Sequence, residues 1–114
     1  MSYPYLVIGQ KLEQNQFVYS PAHTWKLWQQ SDGNLVLYNG ANEPKWQANT
    51  ATGAGNFTIL QADGNFCVYT SDGTPMWAAQ SNQSNFNGIL IVTDDGKILI
   101  EDFSKDVTAV PMRA

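Results

Sequence analysis

The chain has 114 residues, a length that suits one domain over residues 1–114, and its 43% of apolar residues can build a core. Only 14% of the residues are charged and the formal net charge is -4, so the clusters of Lys and Arg that bind nucleic acid or an anionic membrane are absent. No apolar run approaches the ~18 residues that span a membrane.

The first residues bear on where the protein resides, and the cysteine content bears on what stabilises its fold. Residues 1–4 lack the basic region and the apolar core of a signal peptide, so we expect a cytoplasmic protein or one released without such a signal. Cys67 is the only cysteine and cannot form an internal disulfide, so we expect the core alone to stabilise the fold.

Short apolar or alternating runs recur along the chain, separated by turn signals. No segment keeps an apolar i, i+3, i+4, i+7 pattern over helical length, so the pattern predicts an all-β fold. Four Asp-Gly pairs, at residues 32–33, 63–64, 72–73 and 95–96, are strong hairpin signals. The predicted strands cover residues 5–8, 16–19, 25–28, 35–38, 57–60, 66–69, 89–92 and 98–100.

An internal repeat organises these strands. Residues 30–38 return as residues 61–69, with the Gln, Asp, Asn and Tyr of the two copies each 31 positions apart (61 minus 30). A third and degenerate copy follows at residues 93–101, after a step of 32 (95 minus 63). Three hairpin units in one domain predict pseudo-threefold symmetry. Because the third copy is degenerate, we expect it to lack the function that the other two share.

A Pro-x-Trp sequence follows each of the first two hairpins and ends at Trp46 and Trp77, which are also 31 positions apart (77 minus 46). A tryptophan buries about 200 Å² in a core, so we expect these equivalent residues to meet near the symmetry axis. The step of 32 places Ala109 at this position in the third unit, where the core must be filled differently.

The loop length of the first hairpin decides which side chains share a face. A three-residue loop at residues 31–33, closed by a glycine in the left-handed region, pairs Gln30 with Asn34. Val36 and Tyr38 then share their face, whereas a two-residue loop would split this polar set. In the three-residue register the opposite face is apolar and is taken as the core. Its members are Leu27, Leu35, Leu37, Leu60, Phe66, Val68, Leu90, Ile98 and Ile100.

The polar face of the first two units carries two amides, a carboxylate near the turn and a phenol. A sugar hydroxyl both donates and accepts hydrogen bonds, so this set suits a neutral polyol. Trp28 falls on the same face and either borders the first site or covers a sheet edge. No nucleophile and base pair, metal cluster or phosphate loop occurs, so we expect a binding protein without cofactor or metal, and not an enzyme.

The pattern Gln-x-Asp-x-Asn-x-Val-x-Tyr of the first unit, nearly repeated in the second, resembles the signature of the bulb-type mannose-binding lectins of monocots. The resemblance implies a β-prism II fold, with three four-stranded antiparallel sheets around a pseudo-threefold axis, and α-D-mannose or oligomannose glycans as partners. It implies that Asp32 and Asn34 hold the axial 2-hydroxyl and Gln30 the 3-hydroxyl. Tyr38 would then hold the 4-hydroxyl, and Val36 would contact the ring carbons.

The other two units depart from this signature to different degrees. The second site comprises Gln61, Asp63, Asn65, Cys67 and Tyr69. Cys67 in place of valine gives a smaller apolar contact and predicts a somewhat weaker site. The third comprises Thr93, Asp95, Lys97, Leu99 and Glu101. There an ammonium replaces an amide, and a carboxylate that could pair with it replaces the phenol, so we expect no mannose binding.

Members of this family often share a disulfide, which is absent here, and many form dimers by exchanging a C-terminal strand. Residues 107–113 are a candidate for such a strand in a homodimer. An alternative function keeps the prism as a scaffold whose sites serve protein contacts or toxicity, as in lectin-like bacteriocins of the same broad family. Those proteins typically carry two such domains and this chain has one, so a mannose-binding lectin is favoured.

Overall fold

Short β-strands connected by tight loops make up the chain. The computed structural model describes residues 2–103 and 108–109, and these residues form thirteen strands and no helix. The described residues therefore include no helix long and apolar enough to cross a membrane. The strands are β1 (Ser2–Tyr3), β2 (Leu6–Val7), β3 (Lys11–Leu12), β4 (Gln16–Tyr19), β5 (Trp25–Gln29), β6 (Leu35–Asn39), β7 (Pro44–Gln47), β8 (Phe57–Leu60), β9 (Phe66–Tyr69), β10 (Pro75–Ala78), β11 (Gly88–Val92), β12 (Ile98–Asp102) and β13 (Thr108–Ala109).

These strands form three sheets. The first has the antiparallel order β4-β5-β6-β7, the second β3-β8-β9-β10 and the third β2-β11-β12-β13. The prediction of three four-stranded antiparallel sheets is therefore confirmed. The first sheet also gains a fifth strand, because β1 pairs in parallel with β4, where Ser2 lies opposite Phe17.

The strands β2, β3 and β4 follow one another along the chain but join three different sheets. Each contributes one fully buried aliphatic side chain to the common core, and these are Leu6, Leu12 and Val18. Burying one such side chain stabilises the fold by about 1.5–3 kcal/mol, so the N-terminal segment ties the three sheets together. The second and third sheets are consequently not built from one contiguous stretch of sequence, whereas β4 to β7 of the first sheet follow one another along the chain.

The central hairpin of each sheet has the predicted three-residue loop. In the first sheet the backbone N–H of Gln30 donates to the carbonyl of Asn34 at 2.8 Å. Gly33 closes this loop with a φ of 93°, in the left-handed region that side chains disfavour. The second and third hairpins repeat this geometry with Gly64 and Gly96.

The core lies between the three sheets. All the residues predicted to face it are fully buried, which confirms the three-residue register. Trp46 and Trp77 meet as predicted, edge to face, with ring centroids 5.3 Å apart. The expectation for the third unit is wrong by one residue, because the strand pairing places Thr108, and not Ala109, at the position equivalent to the tryptophans.

Only Thr108–Ala109 is described among residues 107–113, the segment predicted to exchange between subunits. These two residues, β13, pair with Ile100 and Leu99 of β12 in the same chain. The rest of the segment lies outside the described residues.

Each hairpin turn is covered by a loop that leads into another sheet. The loop before β8 covers the first turn and the loop before β11 covers the second. At the third turn the ring of Trp25, the first residue of β5, lies against Gly96, and the loop before β5 contacts Asp94. Backbone N–H groups of Gly53 and Gln83 hold the first two loops in place. At the third, the Ala22 N–H donates to the carboxylate of Asp94 at 2.8 Å. Because this order is cyclic, the three sheets close into a ring.

Candidate functional site

The polar residues of the first repeat form one connected hydrogen-bond network. Asp32 Oδ1 accepts hydrogen bonds from the Asn34 backbone N–H at 2.9 Å and from Gln30 Nε2 at 3.2 Å. The Tyr38 hydroxyl donates to Oε1 of the same glutamine. Gln30 therefore lies between the carboxylate and the phenol, and both ends of its amide are oriented.

Asn34 is held from the opposite side by residues that the sequence patterns did not reveal. Its Oδ1 accepts a hydrogen bond from the Thr50 backbone N–H at 3.0 Å, and its Nδ2 donates to Gln47 Oε1 at 2.7 Å. Asn49 adopts a left-handed conformation with a φ of 61°, and this turn brings Thr50 to face the amide. With 6% of its surface exposed, Asn34 is fixed in one orientation.

The first turn rests on a buried polar cluster. The carbonyl of Gly33 accepts hydrogen bonds from Thr50 Oγ1 at 2.8 Å and from Gln29 Nε2 at 3.1 Å. Asn56 Nδ2 adds a third at 3.3 Å. Gln29 is fully buried, and the hydroxyl of Thr58 donates to its Oε1. The buried donors and acceptors of this cluster pair with one another, so the cluster keeps the turn that carries the Asp32 carboxylate rigid.

The apolar part of the first site lies around Val36. This side chain exposes only 3% of its surface and lies between Trp28 and Gln47 on the neighbouring strands. The centroid of the Trp28 ring is 5.8 Å from that of Tyr38. Since Trp28 belongs to β5, in the interior of the sheet, it borders the first site and does not cover a sheet edge.

The second repeat reproduces the network with the same residue types. Asp63 Oδ1 accepts hydrogen bonds from the Asn65 N–H at 2.9 Å and from Gln61 Nε2 at 3.4 Å. The Tyr69 hydroxyl donates to Gln61 Oε1. Asn65 Oδ1 accepts from the Ser81 N–H at 3.1 Å, as its counterpart in the first site accepts from a threonine. The structure thus brings together the predicted polar residues of both sites.

Two differences distinguish the second site from the first. Ala78 lies opposite Cys67, whereas Gln47 lies opposite Val36, so Nδ2 of Asn65 has no hydrogen-bond partner among the described residues. Cys67 is buried, and this burial raises the pKa of its thiol. The thiol therefore stays protonated at neutral pH and provides an apolar contact.

Both site tyrosines are protonated at neutral pH. Burial raises the pKa of Tyr38 above its ordinary value, and the charge of Asp32 raises it further. Burial also raises the pKa of Tyr69, with Cys67 and Asp63 as additional causes. Each phenol therefore donates its proton to the neighbouring glutamine and keeps its oxygen available as an acceptor for a ligand.

The third repeat keeps the turn and loses the network. The Thr93 hydroxyl donates to Asp95, and Lys97 Nζ lies 3.5 Å from Oδ2 of the same aspartate. Lys97 thus pairs with Asp95 rather than with Glu101, because Asp95 lies in the same turn while Glu101 lies further along β12. Leu99 takes the place of the site valine. The third unit therefore presents an ion pair where the other two present amides.

No protein-family model matches the sequence, and neither does any curated protein. Solved structures do match it. A lectin from garlic (Allium sativum) is 36% identical, with a TM-score of 0.78 and a match that covers 85% of this chain and 91% of that lectin. This chain belongs to the bulb-type lectin family.

Other bulb-type lectins match over most of their length. A monomeric monocot mannose-binding lectin from Gastrodia elata is 26% identical, with a TM-score of 0.82, over 96% of this chain and 98% of that one. The snowdrop (Galanthus nivalis) agglutinin, complexed with methyl-α-D-mannoside, is 28% identical, with a TM-score of 0.78, over 89% and 91%. The family resemblance and the β-prism II fold are thus confirmed. As a bulb-type lectin, the protein binds carbohydrate and is not an enzyme.

Proposed function

We propose that this bulb-type lectin binds α-D-mannose and oligomannose glycans through two sites in each chain. The observation that carries the proposal is the network that joins Tyr38, Gln30 and Asp32 and recurs in the second repeat. Two units that keep the same bonds between the same residue types support one ligand class for both. The mannoside complex of the snowdrop agglutinin supports mannose as that class.

The proposed contacts use the hydrogen-bonding capacity that the network leaves free. Asp32 accepts a hydrogen bond from the axial 2-hydroxyl, to which Asn34 donates its remaining amide N–H. Gln30 binds the 3-hydroxyl, and the Tyr38 oxygen accepts from the 4-hydroxyl. Val36 contacts the C–H groups of the sugar ring. The axial 2-hydroxyl sets mannose apart from glucose, so the carboxylate and Asn34 give the site its specificity.

The second site binds in the same way, and its residues are Gln61, Asp63, Asn65, Cys67 and Tyr69. We expect it to be somewhat weaker, because the thiol of Cys67 fills less volume than the valine of the first site. The third unit does not bind mannose, since the ion pair between Lys97 and Asp95 replaces the amide and carboxylate pair.

Binding of a single sugar is expected to be weak. Each hydrogen bond exchanged with water contributes about 0.5–1.5 kcal/mol net, so the dissociation constant of a monosaccharide falls near millimolar. Two sites per chain raise the avidity for a multivalent glycan through effective concentration. A homodimer that exchanges its C-terminal strand would double the number of sites.

Binding to immobilised mannan tests this function. Replacing Asp32 and Asp63 with asparagine keeps the Oδ1 that caps the turn but removes the charged acceptor, so binding should fall at least tenfold, because a hydrogen bond to a charged group contributes about 1.5–3 kcal/mol. Asp95→Asn makes the same change in the third unit and should leave binding intact. Mannan binding that persists in the Asp32→Asn/Asp63→Asn variant, with its thermal unfolding unchanged, would contradict the proposal.

A further inference from the structure

The described part of the chain contains four lysines, which fall into two pairs. Lys45 and Lys97 lie 3.7 and 3.5 Å from neighbouring carboxylates. Lys11 and Lys26 form no ion pair with a described residue. Each instead holds its ammonium over an aromatic ring, beside one of the two proposed mannose sites.

Lys26 lies at the tyrosine end of the first site. It is directly opposite Tyr38, and its Nζ lies 6.0 Å from the centroid of that ring and 4.4 Å from the centroid of the Trp28 ring. Asp32 lies in the turn at the other end. Gln30, the last residue before that turn, is four positions beyond Lys26, or about 13 Å along the backbone at ~3.3 Å per residue. The ammonium extends from there over the Trp28 ring, and no ion pair joins it to the Asp32 carboxylate.

The second site has a lysine at the same end, but one that comes from a different strand. Phe57 takes the position of Lys26 opposite Tyr69, and the two rings stack with centroids 5.8 Å apart. Lys11, on β3, holds its Nζ 4.5 Å from the centroid of the Phe57 ring. The two units thus reach one arrangement with residues that are not equivalent: an ammonium over an aromatic ring at the tyrosine end of the site.

The third unit provides an internal comparison. Ile89 lies opposite Glu101, at the positions that Lys26 and Tyr38 occupy in the first sheet. Among the described residues, no lysine lies over an aromatic ring of this sheet. The third unit thus has Ile89 and Glu101 at the positions of the lysine and the phenol, and its own lysine, Lys97, lies at the turn and pairs with Asp95.

We infer that the tyrosine end of each mannose site accepts an anionic substituent on the sugar, paired with Lys26 in the first site and with Lys11 in the second. This inference rests on the proposed function, which places the 4-hydroxyl at the tyrosine. The 4-hydroxyl is adjacent to the C5–C6 arm of mannose, so a phosphate or carboxylate at C6 lies beside the ammonium. An ammonium over aromatic rings and without a carboxylate partner keeps its full attraction for such an anion.

Calorimetric titration of the protein at low salt tests the inference with methyl α-D-mannoside, its 6-phosphate and its C6 carboxylate analogue. We expect both charged ligands to bind about two- to five-fold more tightly than the neutral one, the range for exposed ion pairs. The preference should shrink as salt is added. In a Lys11→Met/Lys26→Met variant, whose apolar side chains still cover the rings, the ratio of affinities should fall to about one. Lys45→Met, which removes a lysine that already has a partner, is the matched control and should keep the preference.

The possible results separate this inference from the function on which it rests. Equal or weaker binding of the charged ligands, or a preference that survives in the Lys11→Met/Lys26→Met variant, would overturn the inference alone. No binding of methyl α-D-mannoside would overturn the proposed function and the inference with it. A preference for the phosphate only would support the inference and identify phosphate as the anion.

Discussion

Tyr38 has one observed contact and one proposed contact in the first site. Its hydroxyl donates to Gln30 Oε1 and so orients the amide, while the same oxygen can accept a hydrogen bond from the ligand. The raised pKa of this phenol keeps the proton in place at neutral pH. Loss of the hydroxyl would therefore remove the proposed ligand contact and also release the Gln30 side chain.

Tyr38→Phe should weaken the first site by about tenfold, since each of the two lost hydrogen bonds contributes about 0.5–1.5 kcal/mol. Calorimetry with methyl α-D-mannoside should then detect one site per chain in place of two. Tyr19→Phe is a suitable control, because Tyr19 lies on the same face two strands away. Equal titration curves for Tyr38→Phe and the unmodified protein would show that the phenol makes no ligand contact.

The repeat predicts the network residues, but not the residues behind them. Gln30, Asp32 and Tyr38 recur at one fixed spacing, and sheet geometry converts this spacing into a shared face. Thr50 was missed although a hydroxyl residue, Ser81, recurs 31 positions later (81 minus 50). A residue in a loop has no strand alternation that would assign it to a face, and only the left-handed turn at Asn49 brings Thr50 to Asn34.

Among the structural elements, the turns differ in what surrounds their glycine. A Cβ added at Gly33 would lie 2.4 Å from the carbonyl oxygen of Gly53 and 2.6 Å from Asn56 Nδ2. A Cβ at Gly73 would meet nothing within 4 Å, although its φ of 88° is as left-handed as that of Gly33. The first turn thus requires glycine for its conformation and for its close packing, whereas the turn at Gly73 requires it for conformation only.

Gly33→Ala should therefore destabilise the protein more than Gly73→Ala does. The left-handed conformation alone costs a residue with a side chain about 1–2 kcal/mol, and this is the loss expected for Gly73→Ala. Crowding against a backbone carbonyl adds about 1–3 kcal/mol at Gly33. Urea unfolding of both variants measures the two losses. Equal losses would show that the covering loop moves aside for the added methyl group without lowering the free energy of unfolding.

Asp-Gly pairs predict the turns because the turn geometry is local. Alternation of apolar residues then gives the register, since a slip by one residue would expose the core face. The covering loops follow no such local rule. Trp25 packs against the turn of the third unit, where a Cβ on Gly96 would lie 2.6 Å from its ring, and a sequence separation of 71 residues (96 minus 25) leaves no pattern to detect.

The ring of three sheets closes where the third turn meets the first sheet. Asp94 Oδ1 accepts hydrogen bonds from the Ala22 N–H at 2.8 Å and from the Thr24 hydroxyl at 3.4 Å. The backbone hydrogen bond from Ala22 is the main cause that lowers the pKa of the Asp94 carboxyl below its ordinary value. The ionised aspartate consequently favours the closed ring.

Stability should depend on pH through this carboxylate. Because its folded-state pKa is lowered, Asp94 stabilises the fold above the ordinary pKa of aspartate, and this contribution is lost as the pH falls through the lowered value. Asp94→Asn should thus reduce the free energy of unfolding at neutral pH and have no such effect at a pH below both values. Urea unfolding over this pH range gives the difference, and a difference that stays constant with pH would contradict the expected linkage.

The sequence repeat predicts the architecture of the whole molecule but not the path of the chain through it. Three hairpins at nearly equal spacing indicate the pseudo-threefold arrangement and its core. The assignment of β2, β3 and β4 to three different sheets was not predictable, because β2 and β3 contain only two residues each and two residues show no alternation. The shift from Ala109 to Thr108 has a similar origin, since strand pairing and not residue counting sets the equivalence.

The number of mannose sites in each chain is most directly measured by calorimetric titration with methyl α-D-mannoside. Two preserved networks and one ion-paired unit predict a stoichiometry of about two per chain with near-millimolar affinity. Absence of binding heat, or a stoichiometry of three that includes the unit with Lys97, would contradict the assignment of sugar binding to the two networks.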